Sequence, residues 1–302
     1  MADILPPLTT KQALEKVDNS NLTCPVGYDF LDKEAFNILN TDYFRGLYLA
    51  YCPGFFDEKL HISSTMGPDH YQLGAYYLDQ KLSFYGTVNS HGDLTARMQA
   101  DITDKLIVHA KTEASFATRD NLRNAHLYQA QVNFEYLALN YRAQFQLGSN
   151  SAIGATYIQR VTPRLSLGGE FFWASMAQES GVGYAARYET DRMVASAKVV
   201  SIGRVIMTYV QKISKKVSLA TDFVYDCFSR DVKASVGYEW DISRLSSVQG
   251  MIDSDGVASA LLKKEMNMGL ECLLSASLDH KNKDYRLGLS LTYGYRTAEK
   301  MP

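Results

Sequence analysis

The stretch KKVSLATDFVYD, Lys215 to Asp226, decides the fold. Val217, Leu219, Thr221, Phe223 and Tyr225 fall on every second position, with Ser218, Ala220 and Asp222 between them. Successive side chains of a strand point to opposite faces, so this period describes a strand with one apolar face and one small or polar face. The pattern recurs. In YQAQVNFEY (128–136) Tyr128, Ala130, Val132, Phe134 and Tyr136 alternate with Gln129, Gln131, Asn133 and Glu135. DKLIVHAKTEASF (104–116), YRAQFQL (141–147), DVKASVGYEW (231–240) and YRLGLSLTY (285–293) read the same way. Turn signals separate the runs: HGD (91–93), GSNS (148–151), TPR (162–164), ETDR (189–192), SDG (254–256) and HKNKD (280–284). Between residues 44 and 294 this gives about nineteen strands, mostly of about 9–12 residues, with one long polar interruption at 117–126.

Composition agrees. Twenty Tyr and twenty Gly against seven Pro suit strands joined by tight turns. At 46% hydrophobic residues the chain is neither disordered nor a bundle of membrane helices, and no window of about 18 uninterrupted apolar residues occurs. A net charge of -2 argues against nucleic acid as a partner. Cys24, Cys52, Cys227 and Cys272 form no CxxC pair and read as free thiols. The N-terminus, MADILPPLTTKQALEKVDNSN, has neither the basic start and apolar core of a secretory signal nor the arginines of a mitochondrial presequence. Residues 1–27 read as an extended segment and 28–43 as a helix with its linker. The helix, YDFLDKEAFNILNT (28–41), has an apolar stripe of Leu31, Ala35, Ile38 and Leu39, and early acids Asp29, Asp32 and Glu34. Residues 44–294 form the β domain and 295–302 a C-terminal tail.

The apolar faces admit two readings. In a soluble sandwich they meet inside, on strands of about 5–6 residues. In a membrane barrel they face lipid, and strands of about 9–11 residues cross the bilayer. The strand length here favours the barrel. So do the aromatic pairs at strand ends, such as Tyr128 with Tyr136 and Tyr285 with Tyr293, and the Arg, Lys, Glu, Gln and Asn at alternate positions, which suit a water-filled lumen. Lack of a secretory signal and an odd strand count point to a mitochondrial type of porin rather than a bacterial one.

Chemistry-bearing motifs are weak. GVGYAA (181–186) matches a dinucleotide fingerprint but continues at strand period and opens no helix. DSDG (253–256) starts like a calcium loop, yet the remaining ligands are missing. The six His have no metal-ligand spacing. No enzyme activity, cofactor or metal is expected of such a sequence.

Nearly the whole chain resembles the channel-forming subunit of the translocase of the outer mitochondrial membrane (the TOM complex), in its plant form. The resemblance is carried by MADILPPLT (1–9), DLTARMQADITDKLIV (93–108), YRAQFQLGSNSAIGATYIQRVTPRLSLGGEFFWA (141–174), GVGYAARYETDRMVASAKV (181–199), YVQKISKKVSLATDFVYDCFSRDVKASVGYEW (209–240), DSDGVASALL (253–262) and LDHKNKDYRLGLSLTYG (278–294). The turn at TMGPDH (65–70) is shorter than the family pattern and 117–126 is longer. The resemblance implies an all-β membrane barrel of nineteen strands in the mitochondrial outer membrane, with the N-terminal helix inside the pore. It implies passage of unfolded precursor proteins, and partners comprising a single-helix receptor subunit, small helical subunits, membrane lipids and a second copy of the chain. It also implies a sorting signal on the final strand, at Arg286, Gly288, Leu291 and Tyr293. Since presequences are basic, lumen acids are candidate contacts. Alternation points Asp101, Glu113, Glu135, Glu170, Glu189, Asp222 and Glu239 inward, together with Arg97, Lys111, Arg142, Arg160, Arg187, Lys198 and Lys233. The balance is mixed, and the same charges would serve to solvate the wall or pair across strands. Inward Ile107, Ile158, Phe172 and Ile206 read as seats for the internal helix. The alternative is a metabolite or ion porin of the voltage-dependent anion channel type, which has the same barrel.

Overall fold

A computed structural model describes residues 22–40, 43–56, 59–68, 70–115, 127–149, 151–175, 179–266 and 269–294. The N-terminal 1–21, the interruption at 117–126 and the tail 295–302 named above lie outside the described residues, as does residue 116.

Among the described residues twenty β segments form one sheet. In chain order they are β1 Gly46–Tyr51, β2 Gly54–Phe55, β3 Leu60–Met66, β4 Tyr71–Leu78, β5 Leu82–Asn89, β6 Asp93–Thr103, β7 Leu106–Ser115, β8 Leu127–Leu137, β9 Tyr141–Gly148 and β10 Ala152–Arg160. Then follow β11 Leu165–Ala174, β12 Glu179–Glu189, β13 Met193–Val200, β14 Arg204–Lys212, β15 Val217–Asp226, β16 Asp231–Ser243, β17 Ser246–Asp253, β18 Val257–Met266, β19 Leu270–Asp279 and β20 Asp284–Tyr293. β1 and β2 both pair with β3 and are one wall strand interrupted at Cys52 and Pro53, so the wall has nineteen strands. Pro53 has no amide hydrogen to give the ladder, which accounts for the break. Each strand pairs antiparallel with the next, through tight turns such as those at Gly92 (φ 84°) and Gly256 (φ 86°), where a side chain would be strained.

Closure is parallel. An up-and-down meander with an odd number of strands brings its first and last strands together pointing the same way. β1 accordingly pairs with β20 from Gly46↔Gly288 to Tyr51↔Tyr293. The seam satisfies the polar groups that an open sheet would leave at two edges. Tyr51 and Tyr293 stack there, ring centroids 6.0 Å apart.

Register fixes the faces. Directly paired residues share a face. Tyr238, Gly250, Ala260, Ala276 and Leu287 form one row across β16 to β20 on the outside, and Ser259, Ser277 and Arg286 form one on the inside. Outward residues are apolar and largely uncovered: Tyr184 and Leu287 are each 69% exposed. β15 follows the rule. Leu219 and Phe223 are exposed, whereas Ala220 is fully buried under the helix. Among the described residues all strands belong to one closed sheet and no second sheet covers its outer face, which is not the arrangement of a sandwich. Such a surface is that of a barrel whose outer solvent is lipid. Rings cluster near the strand ends: Tyr141 lies 6.2 Å from Tyr136 and 5.6 Å from Tyr157, and Trp173 and Trp240 are exposed near the ends of their strands.

The two faces of β8 should respond oppositely to charge. Outward Val132→Arg should destabilise the membrane-inserted barrel by about 2–4 kcal/mol, while inward Gln131→Arg should change it by well under 1 kcal/mol. Reversible denaturant unfolding in lipid vesicles measures both.

Candidate functional site: the lumen and its helix

The helical segment lies inside the barrel in two pieces, a 3-10 turn Tyr28–Phe30 and the helix α1, Lys33–Leu39. It is short of the expected 28–41 because Asn40 already caps the last turn. Seven α-helical residues are marginal alone, so packing must hold them. One stripe does so. Tyr28 and Leu31 pack with Ile158 and Ala185, and Ala35, Ile38 and Leu39 pack with Val194, Val210 and Ala220. Gly237 lets the wall and helix meet: a Cβ there would lie 2.7 Å from the Leu39 side chain.

Ions then fix the position along the wall. Arg187, 2% exposed, donates from Nη1 and Nη2 to the two oxygens of Glu34 at 2.8 and 2.7 Å, and from Nη1 to the Leu31 carbonyl at 2.5 Å. Its Nε reaches Glu189 at 3.4 Å. A planar fork bound by a carboxylate, a carbonyl and a second carboxylate is fully used, which is the circumstance in which burying an arginine is tolerated. Lys198 adds a 3.6 Å pair with Asp32 and sits 5.5 Å from the Tyr28 ring centroid. Arg160 holds the incoming chain through Thr23 at 2.7 Å. At the other end of the segment, Ser275 Oγ donates to the Phe44 carbonyl at 2.8 Å and accepts from the Phe44 amide at 3.4 Å. Gly288 lies directly beneath, where any Cβ would strike the Phe44 carbonyl oxygen.

Burial drives the Glu34 carboxyl upward, but the Arg187 fork outweighs it and leaves the group below the ordinary carboxylate range. Asp29 goes the other way. Enclosure raises its pKa, Lys198 opposes the rise, and Glu135 and Asp32 add to it. The Asp29 carboxylate pairs with no cation among the described residues.

All seven sequence-designated acids lie on the lumen face by register, but in different circumstances. Glu135 is 6% exposed and held by Arg142 at 3.0 Å, His109 at 3.1 Å and Gln144 at 3.0 Å. Glu189 is shared by Arg187 and Arg160. Glu113 pairs with Lys111 at 2.6 Å, Glu239 accepts from Gln249 at 3.0 Å and Asp101 from Gln99 at 3.4 Å. Glu170 lies beside Tyr28 and Asp29, and Asp222 buries an oxygen without a hydrogen-bond partner among the described residues. Glu135, Glu170 and Glu189 therefore gather with Asp29, Asp32 and Glu34 around the start of the helix. Asp101 and Glu113 stand apart on β6 and β7. Of the four apolar residues assigned to seat the helix, Ile158 is in a buried cluster with it. The others that do so, Ala185, Val194, Val210 and Ala220, are small or β-branched inward residues on β12 to β15. Their only sequence signal is apolar character on an otherwise polar face. The anchoring role of Arg187 had none beyond its inward parity. Arg286, Gly288, Leu291 and Tyr293 all lie on β20, the first two inward and the last two outward. Among the described residues no cluster of His, Cys, Asp or Glu suits a metal ion.

A closed barrel with an apolar outside, a charged inside and a helix pinned to its inner wall defines a membrane channel. The sequence profile of the eukaryotic porin family matches residues 24–288. The chain is 42% identical to the probable mitochondrial import receptor subunit TOM40-2 of Arabidopsis thaliana, covering 96% of this chain and 99% of that one. It is 25% identical to the mitochondrial import receptor subunit TOM40 homolog of Xenopus laevis, over 76% of this chain and 71% of that one. The chain belongs to the eukaryotic porin family, on its TOM40 branch.

Two outcomes follow for the helix. Arg187→Met strands Glu34 without its partner. The cost is bounded by about 3–5 kcal/mol and reduced because 35% of the Glu34 side chain is already exposed. Amide hydrogen exchange over 31–39 should accelerate, and a second change, Glu34→Leu, should restore part of the protection. A carboxyl depressed in the folded state stabilises above its unfolded pKa and loses that contribution as pH falls through its folded value. Protection of 31–39, corrected for intrinsic exchange, should hold from neutral pH down to the ordinary glutamate value of 4.5 and decline only below it.

Proposed function

We propose that the protein is the protein-conducting channel of the mitochondrial outer membrane, passing unfolded precursor proteins from the cytosol to the intermembrane space. The observation that carries this reading is similarity to TOM40-2 along essentially the whole length of both chains. The lumen supports it. A polar wall leaves an extended chain hydrated, and charges of both signs, many of them already paired, attract a passing segment without gripping it. Conduction needs such weak, multiple sites. Asp101, Glu113, Glu135, Glu170, Glu189, Asp222 and Glu239 supply a dispersed acidic component toward basic presequences. Glu135 and Glu189 act mainly through the fields they leave after pairing.

The working form is a complex. The partners are a receptor subunit with one transmembrane helix, small helical subunits and a second copy of this chain, docked on the lipid-facing wall in the TOM complex. Arg286, Gly288, Leu291 and Tyr293 act earlier, as the final-strand signal that sorts the newly made barrel into the membrane. Gly288 has a further duty, since it also makes room for the Phe44 backbone.

Purified protein in planar bilayers should show a large conductance, blocked by a basic presequence peptide and not by its charge-reversed control. Indifference to both peptides would replace this reading with that of a metabolite porin.

A further inference from the structure

The pore helix hides its apolar stripe against the wall, yet its opposite face is not polar. Asp29, Phe30, Lys33, Phe36, Asn37 and Asn40 are exposed at helical spacing. Phe30 is 53% exposed and Phe36 56%. The helix lies within the barrel with its other side on β10 to β17, so this face borders the open lumen. Two large rings left in contact with water are unfavourable for the empty pore, at roughly 25 cal/mol per Å² of apolar surface. Neither ring is needed to seat the helix, which the buried stripe and Arg187 accomplish. Phe30 is flanked by the carboxylate of Asp29, which has no ion pair among the described residues; Lys198 acts on it through its field, and Glu135, Asp32 and Glu170 oppose that field. Of the cations nearby, Lys198 pairs with Asp32, Arg142 with Glu135 and Arg187 with Glu34, while Lys212 acts on Glu34 at a distance; Lys33 is the cation of the exposed stripe itself.

We infer that Phe30 and Phe36 form an aromatic contact site on the pore helix for the apolar side chains of a translocating segment, with Asp29 taking a neighbouring cationic side chain. The occupant is a polypeptide in which basic and apolar residues interleave. A purely basic segment would leave the rings bare, and a purely apolar one would bring Asp29 against apolar side chains with no counter-charge. The rings have two rotatable bonds each and offer large area at little entropic cost, which suits brief contact with many sequences. This inference rests on the protein-conducting reading and adds where, and by which contact, the channel senses its client.

The test is single-channel recording of the full chain with two peptides of equal charge, one basic with an apolar face and one with that face changed to Ser. In the unaltered protein the apolar-faced peptide should dwell longer. Phe30→Ala with Phe36→Ala should cut that dwell time by about tenfold and leave the Ser-faced peptide as it was. Phe30→Leu with Phe36→Leu should keep most of the difference, and resistance of each variant to unfolding in cold electrophoresis checks the barrel. Equal loss for both peptides, or none for either, would overturn the inference while the channel reading stands. Dependence on the two rings that emerges only after residues 1–21 are deleted would assign the stripe to that segment and overturn it too. If neither peptide blocks the unaltered protein, the protein-conducting reading itself falls and takes the inference with it.

Discussion

Every backbone amide and carbonyl that crosses the bilayer core must find its partner within the protein, because lipid offers none. The parallel seam between Gly46–Tyr51 and Gly288–Tyr293 meets this requirement. Without it, nineteen strands would leave two unpaired edges. With it, the sheet has an inside and an outside, and the two-residue period of each strand becomes a sorting rule for the whole chain. The seam is also where the chain passes from wall to lumen, since Phe44 is held by Ser275 and lies over Gly288. Closure of the barrel and placement of the internal segment thus share residues, and a side chain at Gly288 would disturb both.

The lumen is divided by how its charges are used. Around the helix, most charges are spent on architecture: Arg187 is saturated by Glu34, Glu189 and the Leu31 carbonyl, and Glu135 is held by three partners. On β6 and β7, the Arg97↔Lys111 register brings two cations side by side, relieved in part by Glu113. A charged pore wall therefore has a smaller available field than its formal charges imply. Counting inward acids and bases overstates what a passing chain meets.

This explains which parts were legible in the sequence. Alternation from Tyr128 to Tyr136, or from Val217 to Tyr225, needs no partner to be read, since face is a property of the strand itself. The buried helix stripe of Leu31, Ala35, Ile38 and Leu39 was legible for the same reason. Pairing was not. Nothing local to Arg187 says that Glu34, 153 positions earlier, sits opposite it. Nor does any local pattern explain Gly288, whose need is set by the backbone of Phe44. The break at Cys52 and Pro53 was visible only as a proline, and its consequence, two segments serving as one wall strand, comes from the shared partner β3.

The anchoring also bears on how a helix can occupy a pore that must stay open. A plug held by apolar contact alone would compete with any apolar client for the same surface. Here the helix's apolar stripe is turned wholly to the wall, and the bidentate Arg187–Glu34 pair adds a directional bond that an apolar client cannot replace. A client is thereby free to touch the helix without displacing it. The helix then narrows the lumen and lends it chemistry while staying fixed to the wall.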